Sequence, residues 1–148
     1  MRGAVAPETE DPAASFEEVF RANGWTGTWR NGIYPYDHYH STAHEVLGIA
    51  CGGARVRFGG EGGREVEVEA GDVIAIPAGV AHRLVDERDG FLVVGAYAAG
   101  RSWDIVRPRP GNLEPAQARI AVVPLPEADP VAGAAGPLLR LWTGDGAA

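Results

Sequence analysis

Hydrophobic and polar residues change their spacing near residue 25, and this change divides the chain into a helical start and a β-rich body. Before it, Phe16, Val19 and Phe20 form an apolar stripe at helical spacing. Ser15 is predicted to cap this helix, because its hydroxyl can accept a hydrogen bond from a free backbone N–H of the first turn. Gly24 is predicted to end it.

After residue 25 the apolar residues alternate with polar or small ones, which is typical of β-strands. In the segment 34–40 the alternation places four aromatic or imidazole side chains on one face: Tyr34, Tyr36, His38 and His40. In the segment 45–52 one face carries Glu45, Leu47, Ile49 and Cys51. The opposite face carries the smaller residues Val46, Gly48, Ala50 and Gly52, which would allow another sheet or subunit to approach closely.

Further short strands are predicted along the middle of the chain, at 55–58, 64–69, 73–76 and 91–97. The glycine-rich run 59–63 is predicted to be a hairpin loop, since glycine adopts the positive φ angles of such loops without strain. Strands this short and closely spaced indicate a β-sandwich or barrel, with six to eight strands expected. The C-terminal part differs: 113–120 can form a helix, and 138–142 is an apolar segment that needs covering.

Length and composition fit one small domain. The 148 residues are 45% hydrophobic, enough for a single core, and we expect a flexible leader at 1–14 followed by one domain at 15–148. The net charge of −7 argues against nucleic acid as a partner. No apolar stretch is long enough for a membrane span, and no secretory signal is visible. The single cysteine suits a reducing, cytoplasmic compartment.

Two stretches predict the halves of one metal site. His38 and His40 are two residues apart, so on a strand both side chains reach the same ion. Glu45 follows after a short connection, and His82 follows a proline–glycine turn at 77–79. Three imidazoles and a carboxylate suit one divalent transition metal: iron, manganese, nickel, copper or zinc. The sequence does not choose among these five.

Other residues are candidates for a substrate pocket around that metal. Tyr34 and Tyr36 lie on the same face of the predicted strand as His38 and His40, and Cys51 lies on the same face as Glu45. Tyr97 can form the back wall of the pocket. Glu45 is the candidate catalytic residue, because a weakly held carboxylate beside a metal can act as a proton acceptor. His44 is assigned a supporting or surface role, since its parity points it away from Glu45.

The spacing of these residues resembles the two motifs of the cupin superfamily, a small double-sheet jelly roll. The first motif is matched by five residues in register: Gly32, His38, His40, Glu45 and Gly52. The second is matched by Gly71, Pro77, Gly79 and His82, while Asp86 stands where asparagine is usual. The likeness also extends beyond the motif positions: the stretches 37–48, 90–97 and 123–126 are similar to the YjlB-like single-domain bacterial cupins.

The resemblance implies a single cupin jelly-roll barrel. With the helical patterns at both ends of the chain, we expect an all-β fold with a short N-terminal helix and a partly helical C-terminal extension. The resemblance also implies a metal held by His38, His40, Glu45 and His82, and frequently a homodimer. Four protein ligands leave one or two positions on the metal for a substrate or dioxygen. We therefore expect a metal-dependent enzyme acting on a small, oxygen-rich organic molecule, with dioxygenase chemistry ahead of isomerase or lyase chemistry. The alternative is a non-catalytic cupin that binds or senses a small molecule.

Overall fold

The N-terminal helix begins earlier than the sequence pattern predicts. The computed structural model describes residues 1–6 and 9–144. Helix α1 spans Pro12–Ala22, and the side chain of Asp11 accepts a hydrogen bond from the Ala14 N–H at 3.1 Å. The prediction that Ser15 caps the helix is wrong, because its N–H already donates to the Asp11 carbonyl inside the first turn. Pro12 is tolerated at the first position, where its missing N–H would have no helical partner.

Five antiparallel strands form the sheet in the described part of the chain: β1 Trp25–Asn31, β2 Glu45–Phe58, β3 Arg64–Glu69, β4 Val73–Ile76 and β5 His82–Ala98. Their order is β1-β5-β2-β3, and β4 also pairs with β2. This mostly antiparallel sheet, with its few helices, is the jelly-roll architecture expected from the sequence.

The strand count is lower than the six to eight predicted because two strands are long and bent. Strand β2 joins the predicted segments 45–52 and 55–58, and β5 extends the predicted segment 91–97 back to His82. Their pairing shifts register on both sides of Cys51, and β2 pairs with β4 before this point and with β3 after it. A register shift of this kind is a β-bulge, which bends the strand. The bend lets one strand take part in both halves of the roll.

The segment 34–40 does not form the regular strand that alternation predicted. Its β-bridges are isolated ones, from His38 to His82 and from Tyr39 to Val106, and its other backbone hydrogen bonds are single, such as that from the Leu84 N–H to the Tyr34 carbonyl. Proline at position 35 has no N–H to donate to a ladder, which is consistent with an irregular segment. Two bridges are nevertheless enough to hold the histidines of this segment against β5.

Helix α1 covers the small-residue face of β2. The ring of Phe16 is fully buried there, and a Cβ atom placed on Gly48 would lie 2.7 Å from it. The same core layer contains Phe20, Trp25 and Val46. The opposite face of β2 points into the roll, where Leu47 joins other aliphatic residues in a second layer. The small residues therefore make room for a helix of the same chain.

The C-terminal extension is partly helical, as predicted. A 3-10 turn at Pro110–Asn112 leads into helix α2, Leu113–Ala121, and helix α3 spans Leu138–Thr143. In the apolar segment 138–142, Leu138 is buried in the layer formed by α1, Leu139 and Trp142 pack partly against it, and Leu141 stays exposed. Among the described residues, no helix is both long enough and apolar enough to cross a membrane.

Candidate metal centre

The backbone of the irregular segment places two histidines from distant parts of the chain side by side. His38 and His82 exchange backbone hydrogen bonds at 3.2 and 2.9 Å, and their ring centroids are 4.2 Å apart. The turn before β5 contacts the next histidine, because the Gly79 N–H donates to the His40 carbonyl at 2.8 Å. Gly79 has φ +91°, a conformation that side chains other than glycine rarely adopt. The two sequence motifs therefore meet through the backbone.

Three histidines converge on one point in the roll. Ligand atoms of His38, His40 and His82 all lie within 4.8 Å of one another, and all three residues are buried. Glu45 lies against two of them: its Oε2 is 3.1 Å from His40 Nε2, and its Oε1 is 3.2 Å from His82 Nε2. A group of three imidazoles is thus in place, with the predicted carboxylate at its side.

The other ring nitrogen of each histidine is held by the backbone. Nδ1 of His38 lies 3.0 Å from the Tyr36 carbonyl oxygen, and Nδ1 of His82 lies 3.1 Å from that of Val80. Nδ1 of His40 contacts the carbonyl oxygen of Asp104. A carbonyl oxygen can only accept, so each Nδ1 carries the proton. Nε2 of each neutral ring is left with a free lone pair, and this is how metal-binding histidines are usually oriented.

These residues fit a divalent transition metal. With the protons on Nδ1, the Nε2 atoms of His40 and His82 and the carboxylate of Glu45 are all acceptors, yet they lie 3.1 and 3.2 Å apart. Acceptors this close need a proton or a cation between them. One ion bound to the three Nε2 atoms and the carboxylate would satisfy every contact. Nitrogen and oxygen donors in this ratio suit zinc, iron, manganese, nickel and copper alike.

The residues of the cluster differ in the direction in which their surroundings shift their pKa values. Burial, reinforced by His82, lowers the pKa of His38 to about 4. Burial also opposes protonation of His40, but the hydrogen bond and charge of Glu45 outweigh it and raise the pKa of His40. Burial would raise the pKa of Glu45, but when no cation is bound a proton on Nε2 of His40 or His82 takes its place, and the hydrogen bonds that these rings then donate lower the pKa of Glu45 to about 2. Glu45 is therefore a carboxylate at neutral pH, as a metal ligand must be.

A cavity of about 330 Å³ opens above the cluster. Its lining includes the four candidate ligands His38, His40, Glu45 and His82. Aromatic and aliphatic side chains make up most of the remaining wall: Trp29, Ile33, Tyr34, Pro35, Leu47, Tyr97, Trp103 and Ile105. A metal bound at the floor would face an apolar chamber that has room for a small molecule.

The predicted pocket residues fall into three groups. Tyr34 and Tyr97 line the cavity. Tyr36 lies behind Tyr34, with the two rings stacked at 5.1 Å, and is not part of the lining. Cys51 is exposed, and its thiol lies 3.5 Å from the Asp89 carbonyl, away from the cavity. The prediction that Cys51 lines the pocket is therefore corrected. The pairing of β2 shifts register on both sides of Cys51, so the alternation of inward and outward side chains that begins at Glu45 does not reach it.

His44 is buried but has no nitrogen left for a metal. Its Nδ1 accepts a hydrogen bond from the Ala78 N–H at 2.9 Å, so its Nε2 carries the proton and donates to the Pro124 carbonyl at 3.1 Å. Burial lowers its pKa, which keeps the ring neutral. The ring of Trp142 packs against it edge-on at 4.9 Å. His44 thus ties the C-terminal extension to the turn before β5.

Sequence patterns missed three residues of the site. Trp29 lines the cavity and donates its indole N–H to the Tyr97 hydroxyl at 3.0 Å. Gly95 could have indicated that a large side chain packs here, because a glycine inside an apolar strand often marks the close approach of another group. A Cβ atom on Gly95 would lie 2.1 Å from the Trp29 ring. Trp103 and Asp104 lie in an irregular segment with no periodicity, and nothing in the sequence pairs them with residues 40 and 41.

Comparison with known proteins agrees with the fold and the motifs. Residues 29–94 match the family model described as "Cupin domain". The Bacillus subtilis (strain 168) protein "Uncharacterized protein YjlB" is 38% identical over 126 residues, which are 85% of this chain and 76% of that protein. This relative supports the likeness to YjlB-like cupins inferred from the sequence.

Solved structures with this fold are more distant. An acireductone dioxygenase from Bacillus anthracis, with a cadmium ion in its active centre, is 20% identical and covers 57% of this chain and 57% of its own, with a TM-score of 0.42. A structure of the DMSP lyases RdDddP and RnDddQII is 20% identical and covers 55% of this chain and 41% of its own, with a TM-score of 0.43. At this degree of similarity no activity transfers from these proteins. The relative, with the domain match in agreement, shows that the chain belongs to the cupin family, in the group of Bacillus subtilis YjlB.

Proposed function

We propose that this cupin is a metal-dependent enzyme that acts on a small oxygen-rich organic molecule. The observation that carries the proposal is the convergence of His38, His40 and His82, with Glu45 against two of them, at the floor of an apolar cavity. A divalent metal held there would supply Lewis-acid or redox chemistry to an oxygen atom of the substrate. The protein contributes the ligands, the shape of the chamber and its largely apolar lining.

Glu45 is the proposed catalytic residue. Its carboxylate touches both His40 and His82 and borders the cavity, so it lies beside the proposed metal position and within the space that a substrate would enter. In one role it stays bound and fixes the charge of the centre. In the other it detaches and accepts a proton from the substrate, which its position at the cavity floor allows.

Among possible reactions, dioxygenase chemistry is favoured over isomerase or lyase chemistry. In a dioxygenase both atoms of dioxygen enter the organic substrate, which provides the four electrons, so no external reductant is needed. The cavity suits this reaction because its walls are largely apolar and can hold dioxygen beside a substrate. An isomerase or lyase would use the same ligands with a redox-silent metal and would need no oxygen.

A non-catalytic binding or sensing protein is the second candidate. It is favoured by the small number of acid–base groups in the described part of the cavity wall. Apart from the four candidate ligands, the lining there offers as titratable groups only Tyr34, Tyr97 and Arg30. Burial, together with the charge of Glu45, raises the pKa of Tyr97 above its usual value, so its hydroxyl stays protonated.

We also propose that the protein works as a homodimer in the cytoplasm. Support for a dimer comes from exposed apolar side chains on the C-terminal half: Leu113, Val122, Leu125 and Leu141. The small-residue face of β2 gives no such support, because α1 covers it. The single free cysteine is compatible with a reducing compartment. Light scattering after size-exclusion chromatography tests the dimer, and a monomer mass at micromolar concentration would contradict it.

The catalytic proposal is tested by a substrate screen on untagged protein reconstituted with Fe(II). A dioxygenase consumes dioxygen in step with one substrate and loses this activity in His82→Ala, while His44→Ala, which removes an imidazole outside the cluster, keeps it. Turnover that continues without oxygen and with zinc would identify an isomerase or lyase. A ligand that raises the melting temperature but is recovered unchanged would favour the binding protein.

A further inference from the structure

The walls of the cavity restrict the kind of molecule that it can take. We propose that its ligand is a flat, largely apolar molecule of about one or two rings whose oxygen atoms lie along a single edge, facing the histidine cluster. This inference rests on the proposed function, because it takes the metal as the partner of those oxygen atoms. It narrows the substrate from an oxygen-rich molecule in general to one with an apolar body.

Aromatic rings provide flat surfaces on the wall and at the mouth. Trp103 stacks on Tyr97 with ring centroids 5.5 Å apart and planes 17° from parallel. Trp103 is 45% exposed and Tyr34 is 47% exposed, although both line the cavity. Large aromatic side chains left open to solvent beside a cavity are well placed to cover a ring of the ligand. The single polar atom of the Trp29 indole is already bound to the Tyr97 hydroxyl.

The wall has no free positive charge in its described part. Arg30 is the only arginine of the lining, and its guanidinium makes two hydrogen bonds to Glu17, at 2.6 and 3.1 Å. Two arginines of β2 that do not line the cavity are paired as well: Arg55 with Glu67, and Arg57 with Asp37. A ligand with a carboxylate or phosphate far from the metal would therefore place an unpaired charge against apolar walls, which is costly.

Few side chains can satisfy a ligand with hydroxyl groups on all sides. Away from the cluster, the polar side-chain groups of the described lining are those of Arg30 and Asn31, the hydroxyls of Tyr34 and Tyr97, and the indole N–H groups of Trp29 and Trp103. The Asn31 side-chain oxygen already accepts from the Gly32 N–H at 2.8 Å. A sugar would leave several hydroxyls buried without partners. A molecule with oxygens at one edge meets the metal there and the aromatic walls elsewhere.

The volume of the cavity limits the size of the ligand. A volume of about 330 Å³ is near the lower end of the range for small-molecule pockets, roughly 300–1,000 Å³. Part of this space lies directly above the cluster and would be taken by the oxygen atoms on the metal. The remaining space fits a body of about one or two rings and not a longer chain or a nucleotide.

Calorimetric titration of the zinc-loaded, untagged protein tests this inference with two probes. Naphthalene-2,3-diol presents two adjacent oxygens on a flat apolar body, whereas oxalate presents oxygens alone. We expect the diol to bind at least tenfold more tightly than oxalate. We expect Trp103→Ala to weaken diol binding roughly three- to tenfold, the size of one aromatic contact, and to leave oxalate unchanged. Trp142→Phe, a tryptophan change outside the cavity, should alter neither.

Several results would overturn the inference: oxalate binding as tightly as the diol, no binding of the diol, or unchanged diol affinity in both Trp103→Ala and Tyr34→Ala. Unchanged diol binding in His38→Ala/His40→Ala would also overturn it, because the oxygen edge would then not face the cluster. Zinc content measured on the same samples distinguishes failure of the proposed metal site from failure of the proposed ligand class. Protein that holds no zinc contradicts the proposed metal site, whereas zinc-loaded protein that prefers oxalate contradicts only the ligand class.

Discussion

At the scale of single residues, the four histidines differ in which ring nitrogens are engaged. His38, His40 and His82 each use Nδ1 on a backbone carbonyl and leave Nε2 facing the cluster. His44 uses both nitrogens, one as acceptor and one as donor. Neighbouring imidazoles, all buried, thus receive different functions from their hydrogen bonds, and a metal can be bound only by the first three.

Glu45→Gln tests the role of the carboxylate. The substitution keeps the shape of the side chain but removes the charge that faces His40 and His82, so we expect metal affinity to fall by at least about tenfold. Titration against a competing chelator measures this affinity. Glu61→Gln, an exposed change in the hairpin loop, is the matched control and should bind as the wild type does. Equal affinity in the two variants would remove Glu45 from the ligand set.

Asp104→Ala tests how firmly His40 is positioned. The Asp104 carboxylate accepts hydrogen bonds from both the backbone N–H, at 2.7 Å, and the hydroxyl of Ser41, while its backbone carbonyl accepts from His40 Nδ1. Loss of the carboxylate loosens this support without removing a ligand, so we expect a loss of metal affinity of roughly tenfold. The control Asp86→Ala, on an exposed stretch of β5, should leave the metal affinity unchanged. An unchanged affinity in Asp104→Ala would show that the backbone contact alone is sufficient.

At the scale of elements, the contact between α1 and β2 depends on a position without a side chain. Gly48 lies under the Phe16 ring, and the added methyl group of Gly48→Ala would approach ring carbons to 2.7 Å. We expect this change to destabilise the fold by about 1–3 kcal/mol, as overpacking does. Gly111→Ala, where nothing lies within 4 Å of the new carbon, is the control.

Urea denaturation of the two variants measures the difference in unfolding free energy. Combining Gly48→Ala with Phe16→Leu should recover part of the loss, because the smaller side chain vacates the space of the ring. If Gly48→Ala is as stable as Gly111→Ala, the helix does not pack on β2 as described.

The predictable parts of the fold and the site follow from local patterns. Alternation places Glu45 and Leu47 on the inner face correctly, since their part of β2 pairs without a bulge as far as Ile49. The same alternation fails at Cys51, where the register shifts. Asp104 could not be predicted, because its contact with His40 joins residues 64 positions apart through an irregular segment. Local spacing thus finds the ligands, and only the tertiary fold shows what supports them.

At the scale of the whole molecule, a bound metal would couple the two sequence motifs and stabilise the roll. The ligands come from the segment before β2, from the start of β2 and from the start of β5. Metal bound at 100 times its dissociation constant adds about 2.7 kcal/mol to the stability of the folded state. For a chain of 148 residues, we expect removal of the metal by a chelator to lower the melting temperature by roughly 5–10 °C.

Differential scanning fluorimetry with and without chelator measures this shift, and restored metal should reverse it. The control is His38→Ala/His40→Ala, whose melting temperature should not respond to the chelator. A chelator shift of equal size in this variant would mean that the metal acts elsewhere on the chain.

We propose that His38, His40, Glu45 and His82 hold one divalent metal, and elemental analysis of untagged protein is the first experiment to make. We predict close to one redox-active metal per chain in the wild type and little or none in His38→Ala/His40→Ala, with His44→Ala retaining the wild-type content. Zinc in place of a redox-active metal would keep the site and favour Lewis-acid chemistry. Wild-type protein without metal, even after reconstitution with each of the five candidate ions, would contradict the claim and leave a cupin that binds its ligand without one.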